Sequence, residues 1–268
     1  MRATLVVLGI LLAKTAYVLS IRKKVTLENL RNAYPDLSQR EIETIAKKAF
    51  RNLGIVFAEM LYLRFAGRRA IASHTKVSNP ELFDKALSQG NGLIVIAGHF
   101  ANWEWLALGG ALILKKNFAV VRKNIQTSFT ERFLEKMRIR TGNTLVNSAD
   151  IRKMYRILGS GGCIALLADQ AAPGESTRVP FFGRDVPTFE GPARLALRTR
   201  APILFAECLR AERGEYHIRF QEISFEDLQG DSPENIHELT LRHTKLLESI
   251  IRKHPDQWLW QHRRWKYI

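Results

Sequence analysis

Residues 91–106, NGLIVIAGHFANWEWL, decide how the rest of the chain is arranged. Leu93, Ile94, Val95, Ile96 and Ala97 form a short, uncharged, β-branched-rich run that reads as a strand buried on both faces. The run stops at Gly98, so His99 stands where the chain leaves the strand's carboxyl end, the edge at which open α/β sheets hold ligands. Glu104 follows five positions later. On an unbroken helix five residues turn through about 140°, so imidazole and carboxylate meet only if the segment between them bends. If they meet, the carboxylate accepts a hydrogen bond from one ring nitrogen and leaves the other as a base. Such a base acts on a hydroxyl brought by the substrate, like a serine triad whose nucleophile is not part of the protein. An ordinary strand-end ion pair would show the same spacing. Phe100, Trp103 and Trp105 interleave with the polar pair and would give a site apolar walls.

Working outward, further apolar runs at 118–121, 144–146 and 163–168 alternate with helical patterns at 101–114, 128–140 and 149–158. Strand and helix in alternation imply an α/β fold with a largely parallel central sheet flanked by helices. Arg122 and Asp169 then lie just past strand ends, as His99 does, and all three come out on one edge. Residues 171–189 are broken by prolines and glycines and read as a loop long enough to bind something. Arg178 and Arg184 within it are either solvated or placed to hold an anionic group. A helix over 191–200, strands over 202–209 and 216–220, and a helix from Ser232-Pro233 to about 253 complete this half. The tail, PDQWLWQHRRWKYI, is either an aromatic and basic interfacial belt or a docked C-terminal strand.

Upstream, Ser38 and Glu41 make a capping box that opens a helix to about 65, and Asn79-Pro80 opens another that closes near Gly90. Residues 3–21 are mostly apolar with Arg22, Lys23 and Lys24 behind them. As a helix, residues 5–19 reach only about 22 Å, short of the roughly 30 Å hydrocarbon layer. They read as an interfacial anchor over 1–24, with a signal segment or a core helix as alternatives. Residues 25–268 suffice for one domain. Cys163 and Cys208 sit in apolar runs and read as small buried hydrophobes. The formal net charge of +15 calls for an anionic partner. Zinc spacing, an RNA-binding aromatic signature and a long basic tail are all missing from the sequence, so nucleic acid has no motif behind it.

GHFANWEW resembles the His-x4-Asp/Glu signature of the lysophospholipid acyltransferase superfamily. VVRKN, LLADQ, VPFFG, PTFEGPARLALRTRAPIL and PDQWLWQHRRWK follow in the order of the blocks of lipid A secondary acyltransferases, the lauroyl and myristoyl transferases. The resemblance covers nearly the whole chain. It implies transfer of an acyl chain from acyl carrier protein to a hydroxyl of a lipid A precursor, at the cytoplasmic face of the inner membrane. His99 would be the base, Glu104 its partner, and Arg122, Asn124 and Asp169 would lie at the substrate. A thioester is already activated, so the implied reaction needs neither metal nor organic cofactor. The implied partners are acyl carrier protein, a membrane lipid acceptor and an anionic membrane surface. A relative acting on another glycolipid or lysophospholipid would share the dyad, and a basic membrane-binding protein without activity is the non-enzymatic alternative. Ala101 departs from the pattern, standing where glycine is usual.

Overall fold

The computed structural model describes residues 1–123, 129–172 and 176–267. Seven strands form one sheet in the order β1 (Thr75–Val77), β9 (Tyr216–Glu222), β8 (Ile203–Arg210), β2 (Leu93–Ala97), β5 (Cys163–Leu167), β3 (Phe118–Arg122), β4 (Thr144–Asn147). From β8 to β4 all neighbours are parallel; β9 pairs antiparallel with β8, and β1 follows β9. β2 lies inside the sheet between β8 and β5, which explains its uncharged sequence. Leu93, Val95 and Ala97 enter the hydrophobic cluster on one face, Ile94 and Ile96 the cluster on the other. The two-residue period of a strand therefore fills both layers at once.

Parallel pairing aligns the carboxyl ends of β2, β5 and β3, and the helices α6 (Trp103–Leu114), α7 (Phe129–Arg138) and α8 (Ile151–Gly159) carry the chain back between them. α6 starts two residues later than the expected 101. Asn102 is its N-cap, accepting from the Trp105 N–H at 3.1 Å, and Ala101 before it has φ +39°. That region favours glycine, so a methyl-bearing residue stores strain in the turn after His99.

Two segments differ from the expectation, and a third settles between the two readings left open for it. Residues 171–189 contain a hairpin, β6 (Arg178–Phe181) and β7 (Arg184–Pro187), with Phe182 and Gly183 both at positive φ in its two-residue turn. Lys23–Ala33 forms a helix, α2, where the sequence suggests only a basic flank. The C-terminal segment is docked, with Trp258 and Trp260 buried and a single antiparallel bridge from Trp258 to Phe100. The interfacial-belt reading of those two tryptophans is thereby excluded.

α1 (Arg2–Val18) lies along α3 (Gln39–Phe65), whose capping box at Ser38 and Glu41 is formed as expected. Gly9 and Ala13 meet Gly54 and Ala58 so closely that a methyl group on either glycine would run into the opposite backbone. Arg2 is held on the fully buried Glu59 through Nε (3.1 Å) and Nη2 (2.7 Å), with the Tyr216 hydroxyl on the other carboxylate oxygen. No single helix among the described residues is long and apolar enough to cross a membrane, and α1 with α2 form a pair bent by 84°. Gly54→Val should lower unfolding stability by about 1–3 kcal/mol through overpacking. Denaturant titration checks this, and limited proteolysis should then find α1 first.

Candidate functional site

The site is built at the carboxyl edge of β2 and β5. Past β5 the chain delivers Asp169, fully enclosed, against His99 past β2. Asp169 Oδ1 accepts from His99 Nδ1 at 2.6 Å, and Oδ2 accepts both the His99 backbone N–H at 2.7 Å and the Trp258 indole N–H at 2.8 Å. Burial alone would raise the Asp169 pKa. The His99 ring, its backbone amide and the Trp258 N–H outweigh that and pull it down to about 2. With Nδ1–H committed to a permanent anion, the neutral imidazole keeps its lone pair on Nε2, facing outward. Gln170 Nε2 lies 3.3 Å from that nitrogen, and the Trp103 ring packs against the imidazole at 4.8 Å between centroids.

The C-terminal segment closes this corner from the other side. Leu259 N–H bonds the His99 carbonyl at 3.1 Å, and Ala101 N–H bonds the Gln257 carbonyl at 2.7 Å. His262 Nε2 accepts from the Ala171 N–H at 3.1 Å, bracing the loop that carries Asp169 and Gln170. Burial pushes His262 down to about 4, partly opposed by Asp169. Arg264, almost fully buried, donates to the Pro187 carbonyl and the Thr188 hydroxyl and is pushed down to about 10 by burial.

Glu104 does not hold His99. Its carboxylate is clamped by Arg138 of α7, Nε to Oε2 at 2.8 Å and Nη2 to Oε1 at 2.5 Å. The expected His99 and Glu104 pair is therefore replaced by His99 with Asp169. The bend at 100–102 does turn the chain, but α6 begins at Trp103 and turns Glu104 toward α7. Desolvation would lower the Arg138 pKa, but Glu104 together with Glu131 and Glu135 raises it on balance. Arg122, at the end of β3, donates Nη1 to Glu131 at 2.8 Å and Nη2 to Glu135. Asn124 lies outside the described residues. Arg178 is an exposed hairpin residue bonded to the Asp185 and Tyr267 carbonyls, and neither it nor Arg184 lines the cavities at His99.

Two cavities share Trp103 and Gln170, the side chains in contact with the imidazole. One, of about 350 Å³, lies over the sheet beneath α6 and α7 and is walled by Val95, Ala97, Leu106, Phe118, Leu134 and Phe220. His99, Glu104, Arg122 and Arg138 lie at its polar end. It is why Ala165 and Leu167 of β5, central in the sheet, are only partly buried. The other is a groove of about 1110 Å³ between α1, α3 and the C-terminal segment, apolar along Leu8, Leu12, Leu53 and Phe57. The cations Arg22, Arg263 and Lys266 line the groove as well. Trp103, Lys123 and Gln170 line both spaces and form the neck between them.

Residues 3–267 match the family model of the bacterial lipid A biosynthesis acyltransferases. The chain belongs to that family. It is 24% identical over 249 residues to the lipid A biosynthesis palmitoleoyltransferase of Escherichia coli (strain K12), covering 91% of this chain and 79% of the relative. A lipid A biosynthesis lauroyltransferase of the same organism is 24% identical over 247 residues, with the same coverage. This acyltransferase thus matches its relatives from α1 through the C-terminal segment, and both ends contribute to the cavities at His99.

Trp258, Gln170 and His262 are the site residues that sequence reasoning passed over. The dense Trp, Gln and His content of the tail is the signal for Trp258 and His262, and the position just past Asp169 at a strand end is the signal for Gln170. Among the described residues no group of three His, Cys, Asp or Glu side chains is placed to hold a metal ion. The buried His243 is also pushed down to about 4, by desolvation with Arg264 adding to it. Both histidines take a proton near 6.5 when unfolded and near 4 when folded, so their stabilising contribution is complete above pH 6.5 and is lost as pH falls toward 4. Asp169 adds a second, lower window between 3.8 and 2. Denaturant midpoints at pH 7.5, 5.5 and 4.5 should decline in that order, and His262→Gln, which keeps an acceptor for Ala171, should make the decline shallower.

Proposed function

We propose that this chain transfers a fatty acyl group from acyl carrier protein to a hydroxyl of a lipid A precursor, with His99 Nε2 as general base. The observation that carries this reading is that two cavities of different character share Trp103 and Gln170, the side chains that touch an imidazole whose tautomer a buried carboxylate fixes. The smaller, apolar-walled space suits the acyl chain of the donor. The wide groove, greasy between α1 and α3 and lined also by cations, suits an anionic amphiphile as acceptor. Arg22, Arg263 and Lys266 take over the anion-binding role that the sequence suggested for Arg178 and Arg184.

In the reaction the acceptor hydroxyl gives its proton to His99 Nε2 while its oxygen attacks the thioester carbonyl carbon. Asp169 stabilises the imidazolium that results. The tetrahedral intermediate collapses with loss of the C–S bond, and the departing thiolate takes the proton back from the imidazolium. Glu104, tied to Arg138, shapes the polar end of the acyl cavity in place of orienting the base.

The same reading places the protein on a membrane. Leu8, Leu11 and Leu12 of α1 and Phe57, Leu61 and Phe65 of α3 are exposed around the groove, with Arg22, Lys23 and Lys24 nearby. Such a face lies in the interfacial layer and lets a lipid enter sideways. Its basic flank fits the anionic cytoplasmic leaflet.

In an acyl-transfer assay with acyl carrier protein thioester and a lipid A precursor, His99→Ala should abolish turnover. Asp169→Asn should lower kcat on the order of 10²–10⁴, since it offers the wrong hydrogen-bonding group to Nδ1. Near wild-type rates in either variant would contradict the mechanism. Gly110, at the cavity wall, has Ile218 and Phe118 no nearer than 3.7 Å to an added Cβ. Gly110→Met should therefore shift donor preference to shorter chains while leaving the acceptor KM unchanged.

A further inference from the structure

Attack on a thioester puts negative charge on its carbonyl oxygen, and a donor must already be aimed there. Several donors around His99 are already engaged. The His99 backbone N–H is on Asp169 Oδ2 at 2.7 Å, that of Phe100 on the Gly98 carbonyl at 2.8 Å, and that of Ala101 on the Gln257 carbonyl at 2.7 Å. The Trp258 indole N–H is on Asp169. Arg122 is shared between Glu131 and Glu135, and Arg138 has both Glu104 oxygens. The backbone amides of residues 99–101 and the Arg122 guanidinium therefore already have partners.

The Gln170 carboxamide is differently placed. Its Nε2 is 3.3 Å from His99 Nε2, on the lone pair that must receive the acceptor's proton, and its side chain lines both cavities. Asp169 precedes it on the carboxyl edge, and the following residue, Ala171, is pinned by His262. A hydroxyl arriving at His99 Nε2 takes the position that the Gln170 N–H now fills. The displaced amide then stays beside the imidazole, on a side chain that lines both the apolar cavity and the groove.

We propose that Gln170 is a further catalytic residue, whose side-chain N–H caps the resting base and, once displaced by the acceptor hydroxyl, donates to the developing oxyanion. This rests on the reading of His99 as base. No proton is transferred to or from Gln170: the acceptor's proton goes to His99 and the electron pair of the broken C–S bond leaves with sulfur. Lys123 also lines the neck, but its ammonium stands over the Phe189 ring at 5.0 Å, on a flexible and exposed stem.

The test is steady-state turnover with an acyl thioester donor and a hydroxyacyl lipid acceptor for Gln170→Leu, Gln170→Glu, Lys123→Met and His99→Ala, each first checked for an unchanged unfolding temperature. Gln170→Leu should lose on the order of 10²–10³ in kcat, the loss typical of one oxyanion donor, with KM for both substrates within about threefold, the signature of an interaction made only in the transition state. Gln170→Glu is nearly isosteric, so a merely structural role predicts a milder defect than Leu. An oxyanion donor predicts a defect at least as severe, because a carboxylate would face the developing charge. A Gln170→Leu rate within about threefold of wild type, or a Glu variant milder than Leu, overturns the assignment. So does Lys123→Met carrying the loss in place of Gln170. If His99→Ala itself turns over at wild-type rate, the base has been misassigned, and that failure is read separately from the Gln170 variants.

Discussion

The carboxylate of Asp169 is the point on which this structure turns. It is buried, it is ionised, and it takes three hydrogen bonds from three directions: an imidazole, the backbone that carries that imidazole, and an indole from the far end of the chain. A buried charge is tolerable only when its lone pairs are filled. Filling them here requires the ends of β2 and β5 to be side by side, the turn after His99 to hold its bend, and the C-terminal segment to dock. The geometry at His99 and the closure of the fold are therefore one constraint.

A second enclosed carboxylate does similar work at the N-terminus. Glu59 gathers Arg2, Tyr216 and, more distantly, Arg210 and Asn102, the residue that caps α6. Removing one partner from such a pair leaves an uncompensated charge and costs about 3–5 kcal/mol. α1 is consequently a fixed wall of the groove. Its glycine and alanine contacts with α3 let the two backbones approach, while its leucines are left facing outward. The face that forms the groove and the exposed apolar face belong to the same pair of helices.

Much of the architecture is legible in the sequence because short apolar runs admit few arrangements. Leu93 to Ala97 are called as a strand with its observed bounds, and the shared carboxyl edge of β2, β3 and β5 follows from alternation alone. The partner of His99 is not legible, because its carboxylate lies 70 positions away and the five-residue spacing to Glu104 offers a nearer candidate. Asp169 is nonetheless among the residues that the strand ends single out. The hairpin of β6 and β7 hides behind its prolines and glycines, and its turn places Phe182 in a conformation no residue preference suggests. Trp258 and Trp260 leave two readings open in the sequence for a simpler reason: an indole suits a membrane interface and a buried hydrogen bond equally well.

The central claim is that Asp169, and no other carboxylate, fixes the His99 tautomer. Nitrogen-15 NMR of the imidazole tests it most directly. The account predicts a protonated Nδ1 with a strongly downfield N–H and an unprotonated Nε2 in the neutral ring, unchanged in Glu104→Gln and lost in Asp169→Asn. A proton resident on Nε2, or a downfield signal that survives Asp169→Asn and disappears in Glu104→Gln, would contradict it.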